Sequence, residues 1–293
     1  MEKVKKTRIG KLGRGDMLYG YLFVSFICIQ YLIFVLVPLL MSGFYSFTDY
    51  NNISDKFQFT GFEQYAEILT DPRFLKAIGN TLLYMLHIPI VLILSFLVAY
   101  ALNDKTIRCR KVFRVIYYLP AVSSALAIGI VWRWLFNSDY GVINSLLGID
   151  AHWLTDANLI KVMINIKGIW GGLGGNMLLF LAAMQNIDDS YYEVADLEGG
   201  GTLFKMFRIA FPMCSPVLFY MLVTSVIGGM NSFADNYIIV NSADANTVVY
   251  YMYERLSEGQ YGLMSAGATM LTIVVFIITF IQFKLSNKWV FEG

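Results

Sequence analysis

The sequence predicts an all-α, polytopic membrane protein with six transmembrane helices, and three observations predict it. Of 293 residues, 57% are hydrophobic and only 15% charged, where a soluble domain carries roughly a quarter charged. Six apolar stretches of about 20 residues or more follow one another, each long enough to cross a hydrocarbon core roughly 30 Å thick. Charged or turn-forming breaks separate them, and inside hydrocarbon a run of that length satisfies its own backbone hydrogen bonds only as a helix.

The first stretch, residues 20 to 46, exceeds the roughly 7 to 15 apolar residues of a cleavable signal core and is expected to remain as span one. Span two, 78 to 102, carries His87 followed by Ile88-Pro89, where the proline should bend the helix. Span three is read at 112 to 136, span four at 160 to 184, span five at 212 to 232 behind Pro212 and Pro216, and span six at 263 to 283. The intervening segments 47 to 76, 137 to 159 and 233 to 262 should lie outside, with an amphipathic helix around Gly61 to Asn80. With no linker or repeat, residues 1–293 read as a single domain.

Lys and Arg are retained on the cytoplasmic side of membranes. Lys3, Lys5, Lys6, Arg8, Lys11 and Arg14, with the clusters at 105–114, 205–208 and 284–288, share the side of the N-terminus. Lys56, Arg73, Lys76, Arg133, Lys161, Lys167 and Arg255 fall opposite, a bias of roughly two to one. Both termini are therefore expected in the cytoplasm. The net charge of +1 gives no reason to expect a nucleic-acid partner.

Catalytic signatures are few. There is no GxxxxGK[ST] phosphate loop, no HExxH spacing, and only two histidines, His87 and His152, so the chain is read as neither an ATPase nor a metalloenzyme. Cys28, Cys109 and Cys214 sit where no oxidising compartment would pair them. The middles of the spans lack Asp, Glu, Lys and Arg, which leaves an ion-coupled carrier little to work with. His87 is open to two readings, interhelical hydrogen bonding or contact with a transported solute.

The loop between spans four and five, about 186–211, reads "NIDDSYYEVADLEGGGTLFKMFRIAF". Asp188, Asp189 and Ser190 are N-cap candidates, and Glu193 stands three after Ser190 as in a capping box, which starts a helix near Tyr191. Gly199-Gly200-Gly201 ends it, and a second helix starts near Thr202. Alone, this is an interfacial helix with Lys205 and Arg208 near headgroups.

Its residues also resemble the permease subunits of binding-protein-dependent ATP-binding-cassette (ABC) importers, in the carbohydrate-uptake branch of maltose, multiple-sugar and lactose type. Their loop pattern is matched by Tyr192, Glu193-Val194-Ala195, Leu197, Gly199, Phe207 and Ile209-Ala210-Phe211-Pro212. Val194, Glu198 and Gly200 depart from it, standing for alanine, aspartate and alanine, and the extra glycine is expected to loosen the break. "NTLLY", "FRVIYYLP", "WRWLFNSDYGVINSLLG" and "FKLSNKWVFEG" extend the likeness along nearly the whole chain.

The resemblance implies a type I importer permease fold in a bacterial cytoplasmic membrane. It implies a second homologous permease, a cytoplasmic ATPase dimer that alone binds ATP and Mg, an extracytoplasmic solute-binding protein, surrounding lipid and a carbohydrate substrate. Tyr192, Glu193, Ala195, Leu197, Glu198, Gly199, Phe204, Phe207, Ile209 and Pro212 then become the ATPase-coupling residues.

A sugar path should be polar without net charge. The candidates are His87 with Gly168, Trp170, Gly171, Gly172, Gly175 and Asn176 in span four, and Gly228, Gly229, Asn231 and Ser232 in span five. The glycines could equally serve close helix packing. As lining, they would leave room for a long oligosaccharide or contribute little to its binding. A stand-alone secondary transporter of a neutral solute is the alternative, and a membrane-embedded enzyme stands behind it.

Overall fold

The computed structural model describes residues 14–51, 57–104, 106–240 and 242–291, with side chains from Tyr19 on. Lys3, Lys5, Lys6, Arg8, Lys11, Lys56, Lys105 and the last two residues of the "FKLSNKWVFEG" ending lie outside the described residues. Among those described, every element is helical, and the only β pairing is an isolated bridge between Thr48 and Phe59.

Among the described residues, four helices are long and apolar enough to cross a membrane: Tyr19–Tyr45, Pro72–Asn103, Ala157–Gln185 and Tyr261–Ser286. Two further units pass the same test only as bent pairs, Arg110–Val122 with Ala125–Leu135 at 96° and Thr202–Met213 with Ser215–Met230 at 63°. Counting each pair once makes six, numbered here span one to span six. The sequence reading took span three as continuous, which it is not; for span five the break falls at the entry that Pro212 and Pro216 mark. Span three breaks where Ser123 and Ser124 adopt extended backbone just after Pro120; span five breaks at Cys214, immediately before Ser215-Pro216.

Prolines shape two other sites. The π-helical turns Leu32–Leu36 and Met206–Ala210 lie just upstream of Pro38 and Pro212. A proline ring clashes with the carbonyl four residues back, and a widened turn moves that carbonyl aside. The bend expected at Pro89 falls at Met85–Leu86, again upstream of the ring. The expected outer helix around Gly61 to Asn80 is instead two: Glu63–Thr70, then Pro72–Tyr84, which forms the first part of span two and is capped by the Asp71 carboxylate accepting from the Arg73 amide at 2.8 Å.

Spans two and four pack along their length as the spine of the bundle. At the end bearing residues 186–211, Leu92, Phe96, Ala99 and Leu102 of span two meet Met177, Phe180, Leu181 and Met184 of span four, and Met206, Ala210 and Cys214 close over them. Span three joins by direct backbone contact, since a Cβ built on Gly174 would lie 1.9 Å from the Tyr117 carbonyl oxygen. The C-terminal end ties in through the Phe291 amide, which donates to Ser215 Oγ at 2.8 Å.

Short helices cover the opposite end, and polar groups of "NTLLY" hold the cover. Asn80 Nδ2 donates to the carbonyls of Asp244 and Asn246 at 2.9 Å each, and Tyr84 Oη donates to the Ala245 carbonyl at 2.6 Å. These bonds satisfy carbonyls of a buried turn that would otherwise be costly to desolvate. They also fix the segment after span five against span two, which positions the cavity described next.

Candidate functional site

Two features of the bundle stand out as sites: a helix at one end, and a cavity between spans two, four and five. The end helix runs Asp189–Leu197, with Asp188 as N-cap accepting from the Ser190 amide at 2.8 Å. That bond holds the Asp188 carboxyl below the usual carboxylate range. The Ser190 capping box is therefore not formed: the helix begins before Ser190, and Glu193 is exposed.

The helix stops in a Schellman motif. Gly199, at φ +77°, donates its amide to the Asp196 carbonyl at 3.1 Å, while Gly200 donates to the Ala195 carbonyl at 2.7 Å. Gly200, expected to loosen the break, instead fits closely: a Cβ there would lie 2.8 Å from the Ala195 oxygen and 3.0 Å from the Phe204 ring. Gly199→Ala should strain the positive φ by about 1–2 kcal/mol. We expect amide exchange at Gly200 to accelerate about tenfold or more, as read by hydrogen–deuterium exchange.

Beyond the break, Thr202–Lys205 returns toward the bundle. Lys205 pairs with Asp196, and Tyr100 Oη of span two donates to the Thr202 carbonyl at 3.1 Å. Ala195 is buried, and Tyr192 and Ile209 pack against the core of spans two and four. Burial, followed by neighbouring Tyr100, Cys214 and Asp189, pushes the Tyr192 hydroxyl up to about 12, so it stays neutral. One face is thus anchored. The other presents Val194 (56% exposed), Leu197 (89%), Leu203, Phe204 and Phe207, with Glu193 and Glu198 exposed beside them; Pro212 is half-buried at the span five entry.

The cavity has a volume of about 290 Å³, near the lower end of ligand pockets. It is lined by Tyr84, His87, Ile88 and Val91 of span two; Ile164, Gly168, Gly172 and Asn176 of span four; and Ser225, Gly228, Gly229, Ser232 and Asp235. Of the residues expected along a path, His87, Gly168, Gly172, Asn176, Gly228, Gly229 and Ser232 come together here. Four do not. Trp170 packs in a tilted contact at 5.8 Å against Trp132 of span three, Gly175 faces Ala121, Gly171 has nothing within 4 Å of a built Cβ, and Asn231 lines a separate groove with Val249 and Met252.

His87 makes the interhelical contact. Its amide, freed by the break at Met85–Leu86, donates to Asn165 Oδ1 at 2.8 Å, and Asn165 Nδ2 donates back to the Leu83 carbonyl at 3.0 Å. The ring lies 2.7 Å from where a Cβ of Gly168 would be, so that glycine is both a packing and a lining residue.

Sequence reasoning missed Tyr84, Asn165, Ser225, and above all Lys167 and Asp235. Lys167, read only as a charge on the outer side, lies inside helix Ala157–Gln185, and its Nζ donates to Asp235 Oδ1 at 2.5 Å. A lysine within an apolar helix was the available signal.

Comparison with known proteins agrees with this architecture. Residues 85–291 match the family of binding-protein-dependent transport system inner membrane components. The chain belongs to this family. As an inner membrane component it is a multi-pass membrane protein and the transport, not the catalytic, part of an ABC importer that works with a binding protein and an ATPase.

Among relatives of this inner membrane component, the arabinooligosaccharide transport permease AraP of Bacillus subtilis is 31% identical, over 96% of this chain and 94% of its own. The lactose transport permease LacF of Rhizobium radiobacter is 30% identical, over 92% and 94%. A bacterial alginate ABC transporter, solved with a periplasmic protein bound to an alginate pentasaccharide, shares the fold at TM-score 0.82 and 22% identity, covering 96% of this chain and 97% of that one.

Proposed function

We propose that the chain is one of two similar permease subunits of an ABC importer for a carbohydrate, most simply an oligosaccharide. The carrying observation is the joining of the polar cavity and the anchored end helix through one core. His87 and Ile88 of span two line the cavity, and Phe96 and Tyr100 farther along the same helix hold Phe211 and Thr202 at the other end. A displacement at the end helix is thereby transmitted to the cavity. Sequence relatives named for arabinooligosaccharides and lactose support the substrate class.

In this reading residues 1–293 act as one permease domain, with both termini and the 186–211 loop in the cytoplasm. ATP and Mg are held by the ATPase pair, and a second permease completes a cavity too small for an oligosaccharide alone. Glu193 and the apolar face of Val194, Leu197, Phe204 and Phe207 dock on the ATPase, with Tyr192, Ala195, Glu198, Gly199, Ile209 and Pro212 shaping or anchoring that helix. Driving a gate from about 1:99 to 99:1 needs roughly 5.5 kcal/mol of differential stabilisation, which a packed lever can deliver and a loose loop cannot.

The test is ATP hydrolysis by the complete assembly in lipid, with a panel of oligosaccharides. Stimulation by one sugar class only when all subunits are present is expected. Uptake by this chain alone, without an ATPase, would replace the reading with a secondary transporter. Gly228→Leu refines the test: a Cβ there meets nothing within 4 Å, so the added side chain starts from open space in the cavity lining. Uptake should drop at least tenfold while assembly with the ATPase persists, as measured by vesicle transport and co-purification.

A further inference from the structure

Spans two, four and five surround the cavity with polar side chains and one carboxylate, which is ion-paired. The polar groups are Tyr84, His87, Asn176, Ser225 and Ser232, each a hydrogen-bonding partner for a hydroxyl. The charged groups are Lys167 of span four and Asp235 of the helix Ala234–Ile238, joined at 2.5 Å with 13% and 24% of their side chains exposed. Each neutralises the other in a largely desolvated setting, where an unpaired charge is costly. Asp235 is the only Asp, Glu, Lys or Arg that lines this space among the described residues, and Lys167 reaches it as the partner of that carboxylate.

A carboxylated solute entering such a cavity sheds its water and finds no free cation in return. A polyol loses hydrogen bonds to water and regains them from the lining. Building on the carbohydrate reading above, we propose that the Lys167–Asp235 pair is the charge filter of the cavity. With the pair intact the path takes uncharged saccharides and excludes acidic ones. Without the Asp235 carboxylate, the Lys167 ammonium is released toward the lumen and acidic saccharides are admitted. Asp235 in the lining and its ion-pair partner Lys167 are thus the specificity-determining residues.

The experiment measures direct binding of arabinotriose, maltotriose and trigalacturonate to the assembled permeases and ATPase in lipid nanodiscs. Leaving out the binding protein keeps its own selectivity from masking that of the cavity. Wild type should favour a neutral trisaccharide over trigalacturonate at least tenfold, or about 1.4 kcal/mol. Asp235→Asn should shift that ratio at least tenfold toward trigalacturonate, with Asp235→Ser as the second variant should the first not fold. The reversed pair, Lys167→Asp with Asp235→Lys, should keep the wild-type ratio.

Equal affinity for acidic and neutral sugars in wild type, or an unchanged ratio in both Asp235 variants, would overturn the filter and leave the carbohydrate reading in place. Binding of no saccharide at all by wild type would instead remove the carbohydrate reading, and the filter with it.

Discussion

Leu197→Asp should detach the permease from its ATPase. Leu197 is 89% exposed at the end of a helix whose other face is anchored in the bundle, an arrangement that leaves a large apolar side chain in water unless a partner covers it. Burying a leucine stabilises by about 1.5–3 kcal/mol, and a carboxylate in its place must also be desolvated. Association should therefore weaken by at least tenfold, and ATP-driven uptake should fall with it. Because the side chain touches little within the chain, membrane insertion and thermal stability should stay at wild-type level. Glu193→Ala, which removes a charge beside the same face, should lower coupled transport less severely. Co-purification of a stoichiometric ATPase with the Leu197→Asp permease would show that this face is not the docking surface.

Gly174→Val should prevent spans three and four from packing. The nearest atoms to a Cβ at this position all belong to backbone: Tyr117 O at 1.9 Å, Tyr117 C at 2.5 Å and Tyr118 Cα at 2.7 Å. Backbone cannot swing aside as a side-chain tip can, so the two helices must separate. Overpacking costs typically about 1–3 kcal/mol, and here the separation also strips contacts from the core that anchors the end helix. We expect a large loss of monodisperse protein on detergent extraction and a lowered unfolding midpoint. Gly171→Ala is the internal control: nothing lies within 4 Å of its added Cβ, and alanine in a helix interior gains about 1 kcal/mol over glycine. Equal behaviour of the two variants would show that the Gly174 contact is not limiting.

Much of this was legible before any coordinates. The glycine break was readable because a Schellman motif is local, written within a few consecutive residues. The helix start was misread because three adjacent cap-forming residues compete there, and only backbone geometry shows that Asp188 captures the Ser190 amide. Seven cavity residues could be named because glycines and small polar residues are conspicuous in apolar helices. Trp170 and Asn231 were equally conspicuous, but they point to Trp132 and to a different groove.

By itself the sequence determined that the chain is a helical membrane protein of this transport family. Hydrophobicity, span length and a short loop motif are properties of contiguous residues, and the bilayer allows few other solutions for them. Only the tertiary structure decided what the cavity is made of. Lys167 and Asp235 are 68 positions apart, and His87 and Asn165 are 78 apart. Whether such groups meet depends on how three spans cross and where prolines and serines break them. The registers of those crossings follow from packing summed over whole helices, which no short stretch of sequence encodes.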